Sequence, residues 1–199
     1  MKKWLFSIVM VINCVFLFSE EHIIFRGNCL IYNDYYERLQ NQEYQIKYDD
    51  KENVFYFYSS FFGIKTWIYL NRNNFTKMRT IFDKYFEWED TAIKNKVTVN
   101  RDIPDSRITQ SVSWTSGTYW YSSNRLSFAF KLFSQSETRH QLIMSFSQVT
   151  SNYIDYQMDN LYFDKNQVRA LYNTISDTNI TKELDTIKKK KGSADSLFN

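Results

Sequence analysis

Glycine and proline are nearly missing from this chain: four glycines, at 27, 63, 117 and 192, and the single Pro104 among 199 residues. Neither the G-x-S-x-G elbow of a serine hydrolase nor a glycine-rich phosphate loop fits these positions, since both need glycine where the backbone turns sharply. Histidine is as scarce, with only His22 and His140. No H-E-x-x-H, no C-x-x-C and no acidic calcium loop with a central glycine occurs, so no metal site and no cofactor is expected. Of the two cysteines, Cys14 lies in an apolar N-terminal stretch. If that stretch is cleaved off, Cys29 is left alone, an intramolecular disulfide is excluded, and packing must hold the fold. Cys29 reads as a small buried apolar residue, because no pattern of Lys, Arg or His marks an activated thiolate.

An excess of charge of one sign is also lacking where it would matter. The formal net charge is +3, but Lys2 and Lys3 sit at the N-terminus and five lysines follow from Lys182 onward; between Glu20 and Thr181, 18 basic residues face 19 acidic ones. A neutral body lacks the basic footprint of a nucleic-acid binder. The lysine run 188–191 predicts a solvated basic tail over 182–199, since four like charges in succession resist burial.

What is present begins at the N-terminus. Lys2 and Lys3 precede an apolar stretch from Leu5 to Phe18, interrupted by Ser7 and Asn13, and Ser19 is followed by Glu20 and Glu21. That is the three-part layout of a secretory signal peptide at 1–19, cut near Ser19. The stretch falls short of the roughly 20 residues a membrane-spanning helix needs. A secreted or periplasmic protein is expected, with no transmembrane segment in its mature chain.

Two segments carry a helical period. Phe75, Met78, Ile81, Phe82, Tyr85, Phe86 and Ile93 recur at spacings that form one stripe, with Asn71 placed to cap it; Val168, Leu171, Tyr172 and Ile175 do the same behind Asp164. A further short helix is expected over 33–42. Alternation predicts strands at 44–48, 54–61, 64–70, 108–114, 125–133, 142–149 and 153–159, with polar turns at 49–53, 123–125, 134–141 and 151–152. Short turns favour antiparallel pairing. The segment IYLNRNNFTKM at 68–78 aligns with LYFDKNQVRAL at 161–171 at a constant offset, Asn71 matching Asp164 and Phe75 matching Val168. The fold class expected is therefore α+β: antiparallel sheet with two main helices and an internal duplication of a strands-then-helix unit. Its units are 20–98 and 108–181, joined by a linker at 99–107 that holds Pro104.

In element order, such a duplication resembles the Whirly and PUR-type single-strand nucleic-acid binders. The likeness covers most of the mature chain, rests on no motif and transfers no residue. What it implies, nucleic-acid binding, is opposed by the export signal and the neutral body.

The aromatic content of 19% accompanies many Ile, Asn and Lys residues, all with A/T-rich codons, so genome composition accounts for it better than a stacking surface does. The densest cluster is Trp114, Tyr119, Trp120 and Tyr121, around a bend at 116–118. Were that bend exposed, these four would form a ligand-binding tip for a sugar, a peptide or another protein; otherwise they are core rings of a strand pair. Glu87, Glu89 and Asp90 in EWED read as a solvated helix end, since neighbouring carboxylates on one helix cannot face each other across a cleft. No catalytic residue is expected. A non-catalytic binding protein of the envelope or periplasm, with a protein or carbohydrate partner, is the function that follows; a hydrolase of envelope polymers is the alternative.

Overall fold

The structure, a computed structural model, describes residues 21–151 and 154–195. The signal peptide expected at 1–19 lies outside the described residues.

Alternation of apolar and polar residues sets the strands, and tight turns join them. β1 (Glu21–Asn33), β2 (Arg38–Asp49), β3 (Val54–Phe61) and β4 (Ile64–Leu70) follow one another directly. The β3–β4 turn places Phe62 at φ 49° and Gly63 at φ 84°, the doubly left-handed combination that matches strand twist, although a bulky side chain is uncommon there. After α1 (Arg72–Asn95) come β5 (Asn100–Asp102), β6 (Ile108–Ser116), β7 (Tyr119–Ser136) and β8 (Arg139–Phe146). The short β9 (Val149–Thr150) and β10 (Asp155–Tyr156) pair with each other, and β11 (Leu161–Phe163) leads into α2 (Lys165–Thr174) and α3 (Asp177–Asp195).

Eight of these strands close on themselves in the order β7-β6-β4-β3-β2-β1-β11-β8, with β8 returning to β7, every pairing antiparallel. This corrects the expected fold class. The molecule is a closed eight-stranded antiparallel barrel with three helices, not an open α+β sheet with a duplicated unit. The reason is long-range: β1 takes β2 on one edge and β11 on the other, through Leu30–Tyr162 and Ile31–Leu161, so both groups of strands share one interior. The segment around Pro104 runs along β7: Arg101 pairs with Leu132, the Ile103 amide donates to the Phe130 carbonyl at 2.9 Å, and the Ser106 hydroxyl accepts from the Phe130 amide at 3.0 Å. The 33–42 segment is no helix but the end of the β1–β2 hairpin, where the Asn33 side chain accepts from the Tyr36 amide at 3.1 Å.

Gly27 is required by what lies across it. A Cβ there would fall 2.6 Å from the ring of Tyr44, which is buried and stacked on Phe57 with ring centres 4.7 Å apart. Bare backbone at 27 leaves space for that ring.

Both expected N-caps form, each as a reciprocal capping box. Asn71 exchanges bonds with Asn74 at 3.0 and 2.8 Å, and Asp164 with Gln167 at 2.9 Å each way. The α1 stripe enters the core from Phe75 to Tyr85, Phe75 against Phe55 and Phe82 against Phe130, whereas Ile93, expected on the same stripe, is 41% exposed. The lysine run read as a solvated tail is part of α3. Ile180 is buried and Leu184 and Ile187 pack on the core, a spacing that forms one stripe, while Lys188, Lys189 and Lys190 face solvent and Lys191 meets Asp50 at 2.7 Å. No helix among the described residues is long and apolar enough to cross a membrane.

Burial pushes the Cys29 thiol and the Tyr56 hydroxyl each up to about 12, and raises Tyr44 and Tyr85 as well. Because these native values are raised, the unfolded chain releases its protons first, from about 8.5 for cysteine and about 10 for tyrosine. Stability is then fully present below those values and falls as pH rises through them. Urea midpoints should be flat near neutrality and drop steeply above pH of about 10; a midpoint constant to pH of about 11 contradicts the burial.

Candidate functional site

β7 builds the site, because it changes which way its side chains face. Opposite Gln110 and Val112 of β6 stand Leu126 and Ser123, so β7 carries one residue more than its partner and Asn124–Arg125 form a bulge. A bulge reverses the inward and outward parity of the residues beyond it. Leu126, Phe128 and Phe130 point into the barrel on one side of it, Tyr121 on the other, and Ser122 and Trp120 are turned outward. The polar SNR at 123–125, read from the sequence as a turn, is this bulge within a continuous strand.

The four aromatic residues singled out from the sequence therefore divide. Trp114 is 1% exposed, inside the barrel, stacked on Tyr156 at 5.2 Å and on Tyr121 at 5.9 Å. The Tyr156 hydroxyl bonds Thr66 Oγ1 at 2.8 Å, which ties the β9–β10 segment to the interior. Tyr119 and Trp120 stand outside, 71% and 59% exposed. Trp120 instead meets a residue the sequence did not single out: its ring centre is 4.5 Å from that of Trp67, and Trp67 lies 4.8 Å from Tyr58. Alternation in β4 was the available signal, since Ile68 inside implies Trp67 outside. The row ends at Lys47, whose ammonium sits 3.9 Å above the Tyr58 ring and 2.7 Å from Glu21.

Beside this aromatic shelf lies a polar wall. One cavity of about 530 Å³ runs along β7 from Trp120 to Arg125, Tyr121 included, against Thr150 and Ser151, and one of about 400 Å³ is lined by Tyr69, the 111–113 segment of β6 and the 122–124 segment of β7. The two share the Ser122–Asn124 ridge. Ser111, Ser122 and Asn124 make no side-chain hydrogen bond among the described residues, whereas Tyr69 Oη contacts Ser113 Oγ at 3.4 Å.

The candidate acids lie elsewhere. Glu89 of EWED is not solvated: it is 4% exposed, accepts a hydrogen bond from the Tyr85 hydroxyl at 3.4 Å and lies 3.0 Å from the Lys165 ammonium, which also holds Asp90 at 2.6 Å. Asp49, also buried, accepts from the Lys51 and Glu52 amides of its turn at 3.0 and 2.9 Å. His140 donates from Nε2 to the Glu137 carbonyl at 3.0 Å, so its Nδ1 accepts from the Ser134 hydroxyl at 2.6 Å. Ser134 in turn accepts from the Val99 amide at 2.8 Å, and the pair fastens the β7–β8 turn. No group of three metal-ligating side chains occurs among the described residues.

Comparison with family models, with curated proteins and with solved structures finds no significant match to this chain.

Proposed function

We propose that this is an exported, non-catalytic binding protein that engages its partner through the outer barrel wall around Trp120. The observation that carries this is the Trp67–Trp120 shelf, Trp67 outward by alternation in β4 and Trp120 outward beyond the β7 bulge, beside Ser111, Ser122 and Asn124, whose side chains make no hydrogen bond among the described residues. Flat amphipathic rings bury contact area at small entropic cost. Export is supported by the basic, apolar and small-residue sequence of 1–19. Against hydrolysis stands the commitment of Glu89 to Lys165 and of Asp49 to its turn. Against single-strand nucleic acid stands the charge of the shelf, where Lys47 is paired with Glu21.

Two measurements test this. The mature protein should begin at or near Glu20; intact Met1 on soluble cytoplasmic protein overturns export. Purified mature protein should co-sediment with envelope fragments of the producing cell, and Trp120→Ala should lower its retention about tenfold while Trp120→Phe keeps most of it. Equal retention of wild type and Trp120→Ala removes the shelf from the binding surface.

A further inference from the structure

We infer that the ligand of this wall is a neutral oligosaccharide, one pyranose ring stacking on Trp120 while the next sugars lie along Ser122, Asn124 and Ser111. This rests on the binding surface proposed above and names its ligand. A pyranose ring has a face of C–H groups that stacks on the electron-rich face of an indole, and a rim of hydroxyls that both donate and accept. The wall offers the complement of each in the right order. Trp120 presents the ring; the Ser111 and Ser122 hydroxyls donate and accept, and the Asn124 carboxamide does both through separate atoms. Among the described residues these three side chains, like those of Tyr121, Arg125 and Thr150 beside them, make no hydrogen bond, while Ser113 is engaged by Tyr69 and Ser123 accepts from the Arg125 amide.

Charge decides against an ionic ligand. Among the described residues lining the two cavities the only side chain charged at neutral pH is Arg125. An anionic polymer would meet one cation there, where phosphate- and carboxylate-binding surfaces gather several. The shape decides against a single sugar. Cavities of about 530 and 400 Å³ adjoin across the Ser122–Asn124 ridge, so a ligand that contacts both Trp120 and Ser111 must cross that ridge. Aromatic rings line both cavities, Trp120 and Tyr121 the larger and Tyr69 the smaller.

The probes are maltohexaose, cellohexaose, chitohexaose, xylohexaose and mannohexaose, with oligogalacturonate as the charged control and the matching monosaccharides as the short ones. Binding is read by calorimetry and by tryptophan emission. At least one neutral hexasaccharide should bind, about tenfold or more tighter than its monosaccharide. Trp120→Ala should weaken it about tenfold, and Ser122→Ala with Asn124→Ala about threefold or more, all with an unchanged circular-dichroism spectrum and a melting temperature within a few degrees of the wild type. The inference is overturned if no neutral hexasaccharide binds, if Trp120→Ala leaves the affinity unchanged, or if oligogalacturonate binds tightest. Envelope retention separates the two proposals. If retention depends on Trp120 but survives periodate oxidation of the envelope and is lost on protease treatment, the shelf stands and its partner is a protein. If Trp120 is irrelevant to retention and to sugars alike, both fall.

Discussion

Trp114→Ala is expected to lower the unfolding free energy by about 3–5 kcal/mol, whereas Trp120→Ala, six residues on, lowers it by less than about 1 kcal/mol. Trp114 lies fully inside the barrel between Tyr121 and Tyr156, in a wall of strands hydrogen-bonded on both edges. Such a wall cannot collapse into the space an indole leaves, so the lost contacts come with a persistent cavity. The gap would also free Tyr156, and with it the hydroxyl that bonds Thr66. Trp120 touches Trp67 but is mostly solvated, so its removal forfeits one ring pair. Denaturant midpoints of the two variants check this. Comparable losses for both would mean that the bulge does not separate an inner tryptophan from an outer one.

Lys165→Ala is expected to cost about 2–3 kcal/mol, below the 3–5 typical of a wholly buried pair because the lysine is partly solvated. Its partner Glu89 is almost fully enclosed on α1, and without Lys165 its remaining bond is the 3.4 Å one from Tyr85. The same ammonium bonds Asp90, so it is the clasp between α1 and the first turn of α2. Replacing both ends, Glu89→Leu with Lys165→Met, should restore most of the loss, since what destabilises is a stranded charge rather than a missing attraction. Asp90, and then Glu89, hold Lys165 above the ordinary lysine range. The contribution of the clasp is therefore present below that range and is lost as pH rises through the raised value. If the double variant is less stable than Lys165→Ala alone, the ion pair is worth more than its desolvation.

Where a local rule governs, the sequence was legible. The caps at Asn71 and Asp164, the α1 stripe from Phe75 to Tyr85 and the β3–β4 alternation each depend on residues a few places apart, and all are present. β1 escaped because Ile24 is an extra residue against β2, which breaks the alternation near the start of the strand. α3 escaped because its stripe has only Ile180, Leu184 and Ile187, too sparse to stand out among lysines. The candidate site was half legible for a related reason. Aromatic density picked out Trp114 to Tyr121, but the bulge at Asn124–Arg125 decides which rings face in, and a bulge is defined by the partner strand. Closure of the barrel is still less local, since it rests on a three-residue strand, β11, meeting β1.

That last pairing sets an order of events for the newborn chain. Leu30 waits for Tyr162, about 130 residues later, and until it arrives β1 and β8 are both open edges able to pair with a neighbouring chain. Contacts so distant in sequence make folding slow. A polypeptide that cannot close until its last strand is made stays threadable throughout synthesis, and the hazard of its exposed edges passes only when residues 161–163 join β8 to β1.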